Sequence, residues 1–353
     1  MKKKVITEYP KVSIITCVLN GEKYISKLLD SVLNMGYPNI EHIIVNDGST
    51  DSTEDIVLKY AELYKNKENS NLYIKYIKQE NMGLGGATNT GLKEITGEYW
   101  TWINCDDWYG PKAFNEAVTR FNQKIDMVFL NQIYVKDDDN GNVVYEKALN
   151  KHLEKVFSNT KNYRRFVIYP WCPQFHYLLK TSTFDRINPS RSIVAYKYNQ
   201  DLQILYPIAL DVNICLSKES LTYYYRARSD NLASSYKSLV KTKVEFNDLF
   251  LAAITSFQYT SFNIEERLSR MCLYILGTYR LKFYSLYQSG DFNSYCELYG
   301  NRYLPLKKKI LVKHRHYLDY KLFLMKLASS HILFRICYDS AKRICGYFKM
   351  LIK

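Results

Sequence analysis

The first 130 positions alternate between short β-branched runs and longer amphipathic stretches. Residues 12–18 read as the first buried strand, and residues 22–35 place apolar side chains at helical spacing before Gly36 and Pro38 end the helix. The next strands are predicted at 40–46, 72–77 and 99–103, and the next helices at 52–64 and 84–95. Alternation of this kind is typical of a doubly wound α/β sheet.

The pattern changes in the later part of the chain. A strand is predicted at 127–135, a hairpin turn at 139–141 with a strand at 143–145, a helix at 201–206 and a strand at 221–226. From about residue 237 onward the periodicity is helical. We therefore predict a catalytic domain over residues 1–236 and a helical C-terminal region over 237–353.

Charge separates these two regions further. The 353-residue chain has a net charge of +14, and residues 301–353 contain thirteen Lys and Arg against two Asp, an excess of 11. Apolar and basic residues interleave over 317–353 as in a basic interfacial helix, which favours an anionic membrane surface as partner. The alternative is that these helices pack on the catalytic domain or on a second subunit. Nucleic acid is a weaker alternative that we do not expect as a partner.

Targeting signals and the use of cysteine in the sequence indicate where in the cell the protein is expected. No apolar run reaches about 18 residues, and the N-terminus has no apolar core of signal-peptide length. The eight cysteines are scattered and form no C-x-x-C pair, so we interpret them as reduced thiols and not as zinc ligands. These features favour a cytoplasmic protein, peripheral on the inner face of the membrane.

Two polar segments follow predicted strands, where an open α/β sheet binds its ligands. In residues 46–51, Asp47 at a strand end can accept the imide N–H of a pyrimidine or a ribose hydroxyl; an ordinary capped turn is an equal alternative. In residues 81–91, small residues would let the backbone approach an anion. Taken alone, this second segment favours close helix packing instead.

Adjacent carboxylates mark a third segment, Asn104-Cys105-Asp106-Asp107. They suit a hard divalent cation that neutralises a diphosphate, although two aspartates can also simply open a loop before Pro111. A fourth signal, Gln200-Asp201, gains meaning only beside the other three, because a lone Asp before a helix is usually a cap.

In order and spacing, these segments resemble family 2 glycosyltransferases of the GT-A fold. The residues that carry the resemblance are Val12 to Ile15 with Asn20, the segment 46–51, the set Asn81, Gly83, Ala87, Asn89 and Gly91, and the pair Asp106-Asp107. The match from 171 to 235 is looser and rests on Asp201 and the stretch Tyr225-Arg226-Ala227-Arg228. The resemblance implies a GT-A catalytic domain, here with a helical C-terminal extension.

The resemblance also implies site roles. Asp47 would bind the base, Asp106 the ribose or the metal, and Asp107 would be the main ligand of Mn²⁺ or Mg²⁺. Asp201 would be the general base, and Cys17 and Leu19 would line the base pocket. The family usually has Pro and Tyr where Cys17 and Leu19 stand, often Asp in place of Asn104, and commonly Glu in place of Gln200.

The activity expected from these roles is inverting transfer of one sugar from a nucleotide-diphosphate sugar to a glycan or lipid-linked acceptor, in cell-surface polysaccharide synthesis. Trp171 is a candidate for stacking on the acceptor sugar. The competing interpretation is a catalytically dead nucleotide-sugar-binding scaffold, because Asn104 and Gln200 replace acidic residues. Neither the sugar, the acceptor nor the oligomeric state follows from the sequence.

Overall fold

A computed structural model describes residues 9–121, 124–137, 143–148, 176–193, 200–209, 212–216 and 222–227. In chain order its elements are β1 (Val12–Val18), α1 (Ile25–Asn34), β2 (Asn39–Asn46), α2 (Thr53–Lys65), β3 (Asn71–Lys78), α3 (Gly83–Lys93), β4 (Tyr99–Trp102), β5 (Trp108–Tyr109), α4 (Ala113–Arg120), β6 (Met127–Phe129), β7 (Asn131–Asp137), β8 (Val143–Ala148), β9 (Tyr177–Lys180), α5 (Thr181–Ile187), α6 (Gln200–Ala209), β10 (Ile214–Leu216) and β11 (Thr222–Arg226).

Seven of these strands form the central sheet, in the order β10-β6-β9-β4-β1-β2-β3. The strands β4, β1, β2 and β3 are parallel, whereas β9 runs antiparallel to both of its neighbours. Val18 at the end of β1 lies opposite Asn46 at the end of β2, and Ile15 lies opposite Trp102 at the end of β4. The loops that follow these three strands therefore leave the sheet at one edge.

Helices cover both faces of this sheet, as the strand and helix alternation predicts. Side chains alternate along β1, so that Ile14 joins a buried cluster with α1, α2 and α4, while Ile15 joins a second cluster with α3, α5 and α6. Both isoleucines are almost completely buried. The α/β fold class with a parallel-rich central sheet is thus confirmed.

The predicted strand 127–135 is instead two strands in different sheets. β6 pairs with β9 and β10 in the central sheet, whereas β7 pairs with β11 and β8 in a second sheet of order β5-β11-β7-β8. Leu130, fully buried between them, donates its N–H to the carbonyl of His176. β6 is buried whereas β7 is only partly buried, with Lys136 exposed. Apolar residues on both sides of Leu130 make the two strands look like one in the sequence.

Several other boundaries differ from the sequence prediction. α1 begins at Ile25 and not at residue 22, and β5, β9, β10 and α5 lack a sequence signal of their own. β7 and β8 are antiparallel, as a hairpin requires, but the predicted turn at 139–141 lies outside the described residues. The region 237–353 also lies outside them, and the boundary at 236 stays a prediction. Within the described ranges, no helix is both long and apolar enough to cross a membrane.

Candidate active site

The loops after β1 and β2 are joined by hydrogen bonds at the carboxyl edge of the sheet. Asn20 Oδ1 accepts the N–H of Thr50 at 2.8 Å, and the Asn20 N–H donates to Ser49 Oγ at 2.9 Å. Gly48 has a φ of +84°, and a Cβ there would lie 3.1 Å from the backbone nitrogen of Asn81. Glycine at 48 thus allows a left-handed turn that also packs against the loop after β3.

Asp47 is held in a single orientation at the centre of these loops. Only 3% of the residue is exposed, and its Oδ1 accepts hydrogen bonds from Gln79 Nε2 at 2.7 Å and from the Met82 N–H at 2.9 Å. Its other oxygen, Oδ2, has no hydrogen-bond partner among the described residues. Asp47 can therefore offer one oriented acceptor oxygen to the N–H or O–H group of a ligand.

The glycine-containing segment 81–91 forms α3 and serves mainly to pack that helix. A Cβ on Gly91 would lie 2.6 Å from Ile15 Cγ2, so α3 approaches β1 too closely for any larger residue. Asn89 bonds both backbone groups of Ile193, its Oδ1 accepting at 2.7 Å and its Nδ2 donating at 2.9 Å. The packing interpretation accounts for most of the segment, while the Met82 N–H before α3 connects it to Asp47.

Cys17 and Leu19 lie at the end of β1 and just beyond it. Cys17 Sγ lies 3.9 Å from Thr88 Oγ1, and burial raises the pKa of the Cys17 thiol to about 12, so the thiol is neutral. Leu19 is 47% exposed, which leaves it accessible to a ligand. Neither observation tests the base-pocket role predicted for these two residues.

A small pocket lies beside Cys17. Its lining includes Thr88, Trp102 and Asn104, together with Ile204 of α6. Asp201 lies in the first turn of α6, so the helix that carries the predicted general base borders this pocket. The base role of Asp201 stays a prediction.

The two aspartates of the acidic loop after β4 have different surroundings. Asp106 is half-buried, whereas Asp107 is 1% exposed. The carboxylate of Asp107 accepts from the Tyr223 hydroxyl, from Asn104 Nδ2 at 3.0 Å and from the Arg226 N–H at 2.8 Å. Burial, followed by the charge of Asp106, raises the pKa of Asp107 to about 8 in spite of these bonds.

This loop fits a divalent cation only in part. No cluster of three or more His, Cys, Asp or Glu side chains suited to a metal occurs in the described part of the chain. A Mg²⁺-type site needs only one or two carboxylates, because phosphate oxygens of the substrate complete it. Asp106, which is less buried than Asp107, fits that role.

Sequence reasoning missed Gln79 and Tyr223, which orient Asp47 and Asp107. Gln79 has no motif around it, and Tyr223 lies in a tyrosine-rich strand of which only Tyr225 and Arg226 belong to the family resemblance. His176 is a third such residue, since it stacks on Tyr223 and its Nδ1 lies 3.2 Å from the Trp102 carbonyl oxygen. The predicted acceptor residue Trp171 lies outside the described residues.

Comparison with known proteins agrees with the resemblance to family 2 glycosyltransferases. Residues 13–185 match the sequence model described as Glycosyl transferase family 2. EpsH of Bacillus subtilis (strain 168), which is named as a glycosyltransferase, is 34% identical over 176 residues, covering 46% of this chain and 49% of EpsH. The chain spans between a fifth and about half of the length of several curated relatives that it matches.

Two solved structures have a similar fold. TarS 1-349 of S. aureus, in complex with UDP-GlcNAc, has a TM-score of 0.55 at 20% identity, covering 94% of this chain and 92% of that one. The mannosyltransferase PcManGT of Pyrobaculum calidifontis, in complex with GDP-Man and Mn²⁺, has a TM-score of 0.50 at 16% identity, covering 87% and 83%. At such identities the similarity extends to the fold alone, which is that of GT-A transferases.

Proposed function

Because residues 13–185 belong to glycosyl transferase family 2, we propose that this chain is an inverting, metal-dependent hexosyltransferase that moves one sugar from a nucleotide-diphosphate sugar to a glycan or lipid-linked acceptor. The observation that carries the proposal is the convergence of Asp47 and the Asp106-Asp107 loop at the carboxyl edge of one sheet. A nucleotide binds at this edge in open α/β sheets.

Asp47 would recognise the nucleotide. Its oriented Oδ2 suits an imide N–H of a base or a ribose hydroxyl, because Gln79 and Met82 hold the other oxygen in place. Cys17 and Leu19 would border the base on the β1 side. The likeness to TarS, whose structure contains UDP-GlcNAc, supports a nucleotide-sugar donor.

Asp106 would hold Mn²⁺ or Mg²⁺ together with the donor diphosphate, within the acidic loop that it shares with Asp107. A cation bound there would neutralise charge on the departing nucleoside diphosphate. The Mn²⁺ in the PcManGT structure supports divalent metal use. The choice between the two ions is open to direct measurement.

Asp201 would act as the general base. A sugar hydroxyl is a poor nucleophile, so a carboxylate takes its proton as oxygen attacks the anomeric carbon and the bond to the diphosphate breaks. Attack from the face opposite the leaving group inverts that carbon without a covalent enzyme intermediate. Trp171 is the proposed stacking platform for the acceptor sugar.

We also propose a role for the chain at the inner face of the cytoplasmic membrane, in cell-surface polysaccharide synthesis. The support is the excess of 11 positive charges in residues 301–353, among interleaved apolar residues. Full-length protein should sediment with anionic liposomes at low salt, and release as salt rises. Failure to bind at low salt would remove the membrane part and leave the transfer part standing.

The transfer itself is tested by a donor panel. Purified protein with Mn²⁺ should release nucleoside diphosphate from one or a few nucleotide sugars when an acceptor is present, and Asp201→Asn should not. Donor binding without any release in the wild type would favour the scaffold interpretation instead. Absence of both binding and release across uridine, guanosine and deoxythymidine donors would contradict the proposal.

A further inference from the structure

Asp107 is tied into the protein interior more completely than a metal ligand should be. Its Oδ2 already accepts two hydrogen bonds, from the Tyr223 hydroxyl and from Asn104 Nδ2, and its Oδ1 accepts the Arg226 N–H. Only 1% of the residue is exposed. A hard cation needs carboxylate oxygens that it can approach together with water or phosphate, and this carboxylate has no open side of that kind.

These bonds join the acidic loop to the second sheet. Directly after Asp107, Trp108 and Tyr109 pair antiparallel with Tyr224 and Tyr223 of β11. The loop is also held at its start, where the Ile103 N–H donates to the Ile15 carbonyl at 2.9 Å. Asp106 thus lies between two fixed points, one on the central sheet and one on β11.

The partners of Asp107 are themselves held firmly. Tyr223 is fully buried, stacks on His176 and meets Tyr109 edge to face, with ring centroids 5.9 Å apart. The guanidinium of Arg226 lies 4.9 Å from the ring centroid of Trp108. The carboxylate of Asp107 therefore binds a rigid aromatic assembly, which is what a support for a neighbouring residue requires.

We infer that Asp107 is a positioning residue, which anchors the acidic loop to β11 and thereby fixes Asp106 as the carboxylate that faces the cation and the donor diphosphate. This inference rests on the proposed function. The inference replaces the expectation that Asp107 is the main metal ligand. Outer partners of this kind usually change activity by about 10-fold to 100-fold when they are removed.

The test compares Asp106→Asn, Asp107→Asn and Tyr223→Phe in the full-length protein. Mn²⁺ binding is measured by electron paramagnetic resonance with a nucleoside diphosphate present, whose phosphate oxygens complete the site. The other readouts are kcat and KM with the best donor of the panel, and Tm by thermal melting. Asp106→Asn should weaken Mn²⁺ binding by about 10-fold or more. Asp107→Asn should weaken Mn²⁺ binding clearly less than Asp106→Asn does, while kcat falls by about 10-fold at an unchanged or higher Tm.

Tyr223→Phe removes only the hydroxyl that binds Asp107, so it should reproduce the fall in kcat, and the double variant should be no worse than Asp107→Asn. Equal losses of Mn²⁺ binding in the two aspartate variants would overturn the inference. So would a kcat of Asp107→Asn equal to that of wild type. If wild-type protein binds neither Mn²⁺ nor any donor, the proposed function is wrong, and the positioning role of Asp107, which depends on it, is wrong too.

Discussion

Two buried carboxylates, Glu41 and Asp107, lie at opposite edges of the central sheet, and their surroundings shift their pKa values in opposite directions. Glu41, near the amino ends of the strands, accepts hydrogen bonds from Ser13 Oγ, the Tyr73 hydroxyl, the Thr96 N–H and hydroxyl, and the Gly97 N–H. Burial acts to raise the pKa of Glu41, but these donors outweigh it and the pKa is lowered. At the carboxyl edge, burial and then the charge of the neighbouring Asp106 raise the pKa of Asp107, which has fewer donors than Glu41.

The comparison separates a structural carboxylate from one in a binding site. At the amino edge, donors from β1, β3 and the turn before β4 surround Glu41, so its charge stabilises the fold. At the carboxyl edge, burial and the neighbouring charge of Asp106 disfavour a negative charge on Asp107, and a bound cation would offset that penalty. Favourable charge is used for stability at one edge, and unfavourable charge marks the edge where the ligand is expected.

Removal of divalent cations should reduce sugar transfer more than any substitution does. It should affect only the carboxyl edge of the sheet, where the metal is expected. Excess chelator should abolish sugar transfer, because the cation held at Asp106 would neutralise the leaving diphosphate, and added Mn²⁺ or Mg²⁺ should restore it. Chelator should leave the Tm unchanged, since Glu41 needs no metal. Full transfer in excess chelator would contradict the metal assignment.

Asp201→Asn should reduce turnover by about 100-fold or more, because it removes the proton acceptor and keeps the side-chain shape. Donor affinity should stay near wild type in a nucleotide-sugar titration. Asp55→Asn, on the exposed face of α2, is the matched control and should leave turnover unchanged. A collapse of donor affinity in Asp201→Asn would make Asp201 a binding or structural residue.

Glu41→Gln should be the most destabilising of these substitutions and should spare catalysis. A neutral amide loses the charge that its donors surround and turns its NH₂ group toward some of them, at a cost of about 3 kcal/mol in the free energy of unfolding. Urea denaturation checks this value. Glu116→Gln is the control, since Glu116 forms a partly exposed i,i+4 pair with Arg120 at 2.7 Å and should change stability by less than about 0.5 kcal/mol.

The pH dependence of stability should differ in sign between the two edges, with a smaller effect. The lowered pKa of Glu41 contributes stability above its unfolded value of 4.5, and this is lost as pH falls through the folded value. The raised pKa of Asp107 contributes stability below 3.8 that is lost as pH rises towards about 8. The stability of Asp107→Asn relative to wild type should therefore grow between about pH 4 and pH 8 in urea midpoints. A constant difference would show that Asp107 titrates alike in the folded and unfolded states.

The sequence predicts the carboxyl edge better than the amino edge for a physical reason. Asp47, Asp106 and Asp107 stand next to predicted strand ends, and parallel strands bring their ends together, so local pattern is enough to assemble them. Glu41 lies inside an apolar strand, and its donors come from residues 28 and 55 positions away as well as from β3. Such a set of hydrogen-bond donors can be recognised only once the pairing of the strands is known.

The same difference between local sequence pattern and strand pairing explains the predictions that were wrong. The change of sheet at Leu130 depends on which partner strands β6 and β7 find, and β9 comes from a segment with no periodicity of its own. The metal role of Asp107 stays a prediction, but the sequence around Asp106 and Asp107 gives no sign that their surroundings differ. Tyr223, 116 residues further along the chain, distinguishes them.

The most direct measurement of the central claim is nucleotide binding at Asp47. Thermal shift with Mn²⁺ and UDP, GDP or deoxythymidine diphosphate should raise the Tm of wild-type protein for at least one nucleotide. Glu41→Gln should show the same upward shift from a lower baseline, because its edge of the sheet does not bind the ligand, and Asp47→Asn should show almost none. A shift in Asp47→Asn equal to that of wild type, or no shift of the wild type with any nucleotide, would contradict the account.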